Sequence, residues 1–176
     1  MVDAQRVITI FGTSKALPGD EVYECAYEIG RKMAERGFVI ANGGYGGTMS
    51  AAAKGASEAG GEVIGVTCSA FKRSGVNEYV TEEVVTGSLE ERLVKLVELG
   101  SAYVVLTGGT GTLLELAWVW EFKNKGFLNS DKAIVIVGPF WEKLVELIGG
   151  IDADSVGCIQ TAATALEAVE MVSGSF

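Results

Sequence analysis

The chain has 176 residues, 24 of them glycine, with only two prolines, three cysteines and no histidine. That length suits one domain with a proper core, and the missing imidazole excludes serine–histidine and cysteine–histidine triads, the usual zinc sites and a histidine general base. A net charge of −9 disfavours wrapping a nucleic-acid backbone, which needs a positive surface, although a helix N-terminus can still hold one small phosphate.

Val7 to Phe11 is a short β-branched run ending at Gly12 and predicts a first strand. Asp20 to Arg36 carries Val22, Cys25, Ala26, Ile29, Met33 and Ala34 at spacings of three and four, which predicts an amphipathic helix stopped by Gly37. Phe38 to Ala41 predicts a second strand running into Asn42-Gly43-Gly44-Tyr45-Gly46-Gly47, followed by an alanine-rich helix from Thr48 to Gly60 and a third strand from Glu62 to Cys68. Ser69 to Tyr79 is polar and predicts a mobile loop. Val80 to Thr86 predicts a fourth strand whose polar middle suits a sheet edge.

Ser88 to Leu99 predicts a helix opened by a capping box of Ser88 and Glu91. Ser101 to Leu106 is a central strand, followed by a second glycine cluster and a helix from about Leu113 to Lys125. A strand at Ala133 to Val137, a helix at Trp141 to Ile148, a weak strand at Val156 to Gln160 and a helix at Thr164 to Val172 complete the chain. Strands that are apolar on both faces and alternate with helices predict a doubly wound, Rossmann-like α/β domain with a mostly parallel sheet of six to seven strands.

Cys25, Cys68 and Cys158 are scattered in apolar contexts, which predicts buried thiols rather than disulfides or a metal site. No apolar run approaches the ~20 residues of a membrane span. The N-terminal MVDAQR leads straight into a strand, so neither a signal peptide nor a membrane anchor is expected, and the expected location is cytoplasmic.

In open α/β sheets the ligand crevice lies beyond the carboxyl ends of the strands. Three strand ends here pass through glycine directly into a helix: Gly12-Thr13-Ser14, then Gly43, Gly44, Gly46, Gly47, Thr48 and Met49, then Thr107-Gly108-Gly109-Thr110-Gly111-Thr112. Glycine lets backbone approach an anion, and free helix amides behind it donate to the oxygens. These residues are the expected phosphate- or nucleotide-binding set. Neither cluster ends in the Gly-Lys-Ser/Thr of a Walker loop, and a dinucleotide fingerprint after the first strand is missing.

Two charged residues stand beside these loops. Glu115, four residues after Gly111, is a lone carboxylate among Leu113, Leu114, Leu116, Ala117 and Trp118; at the first turn of its helix it could simply balance the dipole. Arg92, near the start of the preceding helix, could pair with Glu90 or Glu91 or serve the crevice.

Gly108, Gly109, Gly111, Thr112 and Glu115, with Arg92 upstream and the earlier Gly43, Gly44, Gly47 and Met49, are similar to motifs of the Lonely Guy (LOG) family. The similarity runs over nearly the whole chain. It implies hydrolysis of a nucleoside 5′-monophosphate, of the cytokinin riboside monophosphate or AMP type, to free base and ribose 5-phosphate. Glu115 and Arg92 would be the catalytic pair, no metal or cofactor would be required, a bound nucleotide or phosphate would be the occupant, and the protein would be a homodimer. The decarboxylase label once attached to such chains needs a pyridoxal-binding lysine that this sequence does not offer. The sequence departs from the family pattern in three places. Leu93 replaces the lysine after the arginine, Thr107 replaces the proline before the double glycine, and Tyr45 with Gly46 alters the second loop. These departures keep an alternative in view, a non-catalytic nucleotide or molybdenum-cofactor carrier that holds a pterin phosphate. Trp118 and Phe122, four apart on one helix face, suit core or a dimer interface.

Overall fold

The computed structural model describes residues 6–71 and 75–176. Seven strands build one sheet: β1 (Val7–Phe11), β2 (Val39–Asn42), β3 (Val63–Cys68), β4 (Glu82–Thr86), β5 (Ala102–Val105), β6 (Ile134–Val137) and β7 (Gln160–Ala162). All neighbours are parallel, in the order β4-β3-β2-β1-β5-β6-β7. The helices are α1 (Glu21–Glu35), α2 (Thr48–Glu58), α3 (Leu89–Leu99), α4 (Thr110–Asn124), α5 (Glu142–Gly149), α6 (Ala153–Val156) and α7 (Ala165–Ser173). This is the doubly wound, Rossmann-like arrangement that the alternation of strand and helix patterns predicts.

Successive residues of a strand face opposite sides, and the central strands use both. Ile8 and Ile10 of β1 and Val104 of β5 join one apolar cluster with Ala26, Ile29 and Met33 of α1, Ala52 of α2 and Val169 of α7. Phe11, Tyr103 and Val105 join the other, with Leu96 of α3 and Leu116 and Val119 of α4. At the edge, β4 exposes Glu82, Glu83 and Val85. Gly37 ends α1 at φ 81°, where a side chain would be strained.

The chain winds outward from β1 to β4, then returns to lay β5 against the other side of β1, with Thr9 opposite Tyr103. Their helices leave on opposite faces of the sheet. This reversal opens a crevice at the carboxyl ends of β1 and β5.

Three expectations need correcting. α4 begins at Thr110, three residues before the expected start, because Gly109 already serves as its N-cap. Val156 belongs to α6 rather than to a strand: Asp152 caps that helix through the Ser155 amide, and the last strand is Gln160–Ala162, paired from Val135 onward. In the Ser88 cap, the hydroxyl accepts from the Glu91 amide as expected, but the Glu91 carboxylate takes the amide of Gly87 instead of closing on Ser88. Residues 72–74 of the expected mobile loop lie outside the described residues. Beyond them, the Asn77 side chain donates to the carbonyls of Gly44 and Tyr45, tying that end of the segment to the glycine loop.

Candidate functional site

Thr13 sits at the junction of three loops. Its amide donates to the Thr107 carbonyl at 3.1 Å, while its own carbonyl accepts from the Thr48 amide at 2.9 Å and the Thr48 hydroxyl at 3.1 Å. Buried Asn42 shapes the turn after β2, donating to Met49 O and accepting from Gly44 N. Gly47 is held at φ 67°, and a Cβ there would stand 2.3 Å from Thr13 O. Together the loops enclose a cleft of about 650 Å³.

The glycines of the third loop do different jobs. A Cβ on Gly108 would strike the Thr112 hydroxyl at 2.1 Å, so packing alone demands glycine there. Added Cβ atoms on Gly109 and Gly111 would meet open space, and neither residue has positive φ. Both line the cleft, so their bareness leaves room for a ligand rather than for a neighbour. No side chain caps the α4 N-terminus and no acid stands in its first turn. Its leading amides are the donors a helix leaves without intrahelical partners.

Arg92 and Glu115 meet across this cleft. Arg92 Nε donates to Val66 O at 2.8 Å, and Nη1 faces Glu115 Oε1 at 3.5 Å, the side chains being 9% and 13% exposed. The guanidinium carbon lies 5.7 Å from the Tyr45 ring centre and 5.8 Å from that of Phe71. Gly43 is bare for its sake, since a Cβ there would lie 1.8 Å from Arg92 Nη2. Starting at Thr110 puts Glu115 in the second turn of α4, away from the dipole end, and Arg92 pairs with it rather than with Glu90 or Glu91. Burial pushes the Glu115 carboxyl up to about 7, against the opposing pull of Arg92. A carboxyl so placed exchanges its proton near neutrality, which suits acid–base work or stabilisation of a developing positive charge.

Of the residues singled out from sequence, Gly12, Thr13, Ser14, Gly43, Met49, Arg92, Thr107 through Thr112 and Glu115 line the cleft. Gly44, Gly46, Gly47 and Thr48 are outside the lining and support it from behind, with Gly46 exposed. The lining also takes in Tyr45 and Leu93, named above as departures from the family pattern, and Lys15, Phe71, Leu89, Leu114 and Phe140, which the sequence did not point to. Lys15 was findable, being one residue past Gly12-Thr13-Ser14. Phe71 and Phe140 come from distant segments with no local signal. Among the described residues no cluster of three or more Cys, Asp or Glu side chains could hold a metal ion.

A doubly wound fold with glycine loops and a buried Arg–Glu pair at its switch point defines the class. The sequence pattern of the SLOG cluster4 family matches residues 5–149, and the chain belongs to that family. It is 37% identical over 119 residues to an uncharacterized protein of Archaeoglobus fulgidus, covering 68% of this chain and 77% of that one. It is 34% identical over 123 residues to the cytokinin riboside 5′-monophosphate phosphoribohydrolase of Mycobacterium tuberculosis, covering 68% of this chain and 64% of that relative. Among solved structures it resembles the molybdenum cofactor binding protein of Rippkaea orientalis, with a TM-score of 0.81, 23% identity and 98% of both chains covered. The molybdenum cofactor carrier protein of Chlamydomonas aligns with a TM-score of 0.75 and 27% identity, again over 98% of each chain.

Proposed function

We propose that the protein binds a nucleoside 5′-monophosphate in the β1/β5 cleft and hydrolyses its N-glycosidic bond, releasing free base and ribose 5-phosphate. The observation that carries this reading is the buried Arg92–Glu115 pair facing an uncapped helix N-terminus across one cleft. The named activity of the mycobacterial relative supports it. The 5′-phosphate would rest on the amides of Gly109 to Thr112, with Gly12 to Ser14 beside it and the Gly43 to Met49 turn behind. As the bond to the base breaks, positive charge develops on the ribose, and the Glu115 carboxylate would stabilise it and orient the attacking water. Arg92, fixed by Val66 O, would hold the substrate and balance charge on the departing base. No metal or organic cofactor is required for this chemistry. No helix among the described residues is long and apolar enough to cross a membrane; a cytoplasmic homodimer with no nucleic-acid or membrane partner completes the proposal.

A second reading is a carrier of a phosphorylated pterin, the molybdenum cofactor type. Leu93 favours it: this cleft residue, 3% exposed, is apolar where the hydrolase pattern has lysine. The two readings separate in one assay. Purified protein is incubated with AMP and a panel of other nucleoside monophosphates, and free base is followed by chromatography. The hydrolase reading expects base release that disappears in Glu115→Gln; tight nucleotide or pterin binding with no release from any substrate overturns it in favour of the carrier.

A further inference from the structure

Among the described residues three charged side chains line the cleft, Lys15, Arg92 and Glu115, and their balance leaves one cation over. Arg92 faces Glu115, whereas Lys15 makes no ion pair among the described residues. Its backbone is nevertheless well placed. The Lys15 amide donates to the Thr13 hydroxyl at 3.1 Å, and Thr13 is the residue bonded to both other loops. The turn that carries Lys15 is therefore tied to the Thr107 loop that leads into α4, while Lys15 itself is exposed and lines the cleft.

The position after Arg92 tells the complementary half. Leu93 is buried and lines the same cleft, so a lysine there would have brought its ammonium into this space from α3. The cleft lacks that charge on the helix and carries one on the β1 loop instead. A protein of net charge −9 repels a phosphomonoester dianion at long range, and the loop amides donate hydrogen bonds without a full compensating charge. We propose that Lys15 is the residue that makes this cleft selective for a phosphomonoester, taking on from the β1 loop the role of the cation missing at position 93. The proposal rests on the phosphorylated-ligand reading above but not on hydrolysis.

The test uses the intact chain, with inorganic phosphate, ribose 5-phosphate, AMP and adenosine as probes in titration calorimetry. Lys15→Gln should weaken ribose 5-phosphate and AMP at least tenfold and leave adenosine within twofold, and Lys15→Arg should restore most of the loss. The salt dependence of AMP binding should flatten in Lys15→Gln, because one screened charge contact is gone. Inorganic phosphate separates recognition of the bare anion from recognition of its sugar ester. Equal binding of AMP by Lys15→Gln and wild type overturns the inference, as does parallel loss of AMP and adenosine. Failure of the wild type to bind any phosphorylated probe overturns it together with the functional reading. Lys15-dependent AMP binding without base release retains the inference and removes only the hydrolase.

Discussion

Glu115 is carried at a cost to the fold. Its carboxyl sits near 7 in the native protein against an ordinary 4.5. The penalty for charging it is absent below pH 4.5, grows between 4.5 and 7, and is complete above 7, at roughly 3 kcal/mol. Glu115→Gln should therefore unfold at a higher temperature than wild type at pH 8, and the two should converge as the pH falls toward 4.5. A variant no more stable at pH 8 would mean that the Arg92 contact offsets the burial entirely. A stabilising substitution at a site residue is what retention for function produces. The sequence showed that Glu115 and Arg92 were charges out of place, but not that they were partners. That pairing depends on α3 and α4 packing on the same face of the sheet, and no spacing of 23 residues along a chain encodes it.

At the scale of elements, glycine has two uses that composition does not distinguish. Gly30 on α1 and Gly55 on α2 let those helices touch: a Cβ on either would stand 2.1 Å from a backbone carbonyl of the other helix, Ala52 O or Tyr27 O. Gly30→Ala should lose roughly 1–3 kcal/mol from forced separation, despite a helix-propensity gain of about 1 kcal/mol. Gly111→Ala meets open space inside α4 and should keep or slightly raise stability while weakening AMP binding. Thermal melts and titrations of the two variants should thus move in opposite senses; weakened binding in neither would remove the ligand role of the third loop. Strand and helix identities were legible because apolar periodicity is local. The start of α4 was not, since Thr-Gly-Thr resembles loop until the Gly109 cap is seen, and that shift of three residues moved Glu115 out of the first turn.

At the scale of the molecule, α4 carries an apolar patch on its outward side ahead of the exposed Glu121–Lys125 pair. Leu113 and Leu114 are 38% and 40% exposed, Ala117 is exposed, and Trp118 stacks on Phe122 with ring centres 5.1 Å apart. A homodimer closing over this face would hide them, and Ala117→Glu should convert a dimer into a monomer in light scattering at micromolar concentration. A wild-type monomer under the same conditions would contradict the assembly. Sequence periodicity reached the parallel sheet, because such a sheet needs strands that are apolar throughout, and the glycine runs marked the strand ends, but the β1/β5 switch point came only with the strand order. It did not reach the cleft's far wall, where Phe71 and Phe140 arrive from segments whose neighbours are set only by the finished fold. The central claim is that the Glu115 carboxylate cleaves a nucleoside monophosphate bound at that switch point. Its most direct measurement is kcat/KM for base release from AMP between pH 5 and 9. Base release should rise about tenfold per pH unit and level off near 7, where Glu115 ionises, and Glu115→Gln should release none; a profile unchanged by that substitution would contradict the role of Glu115.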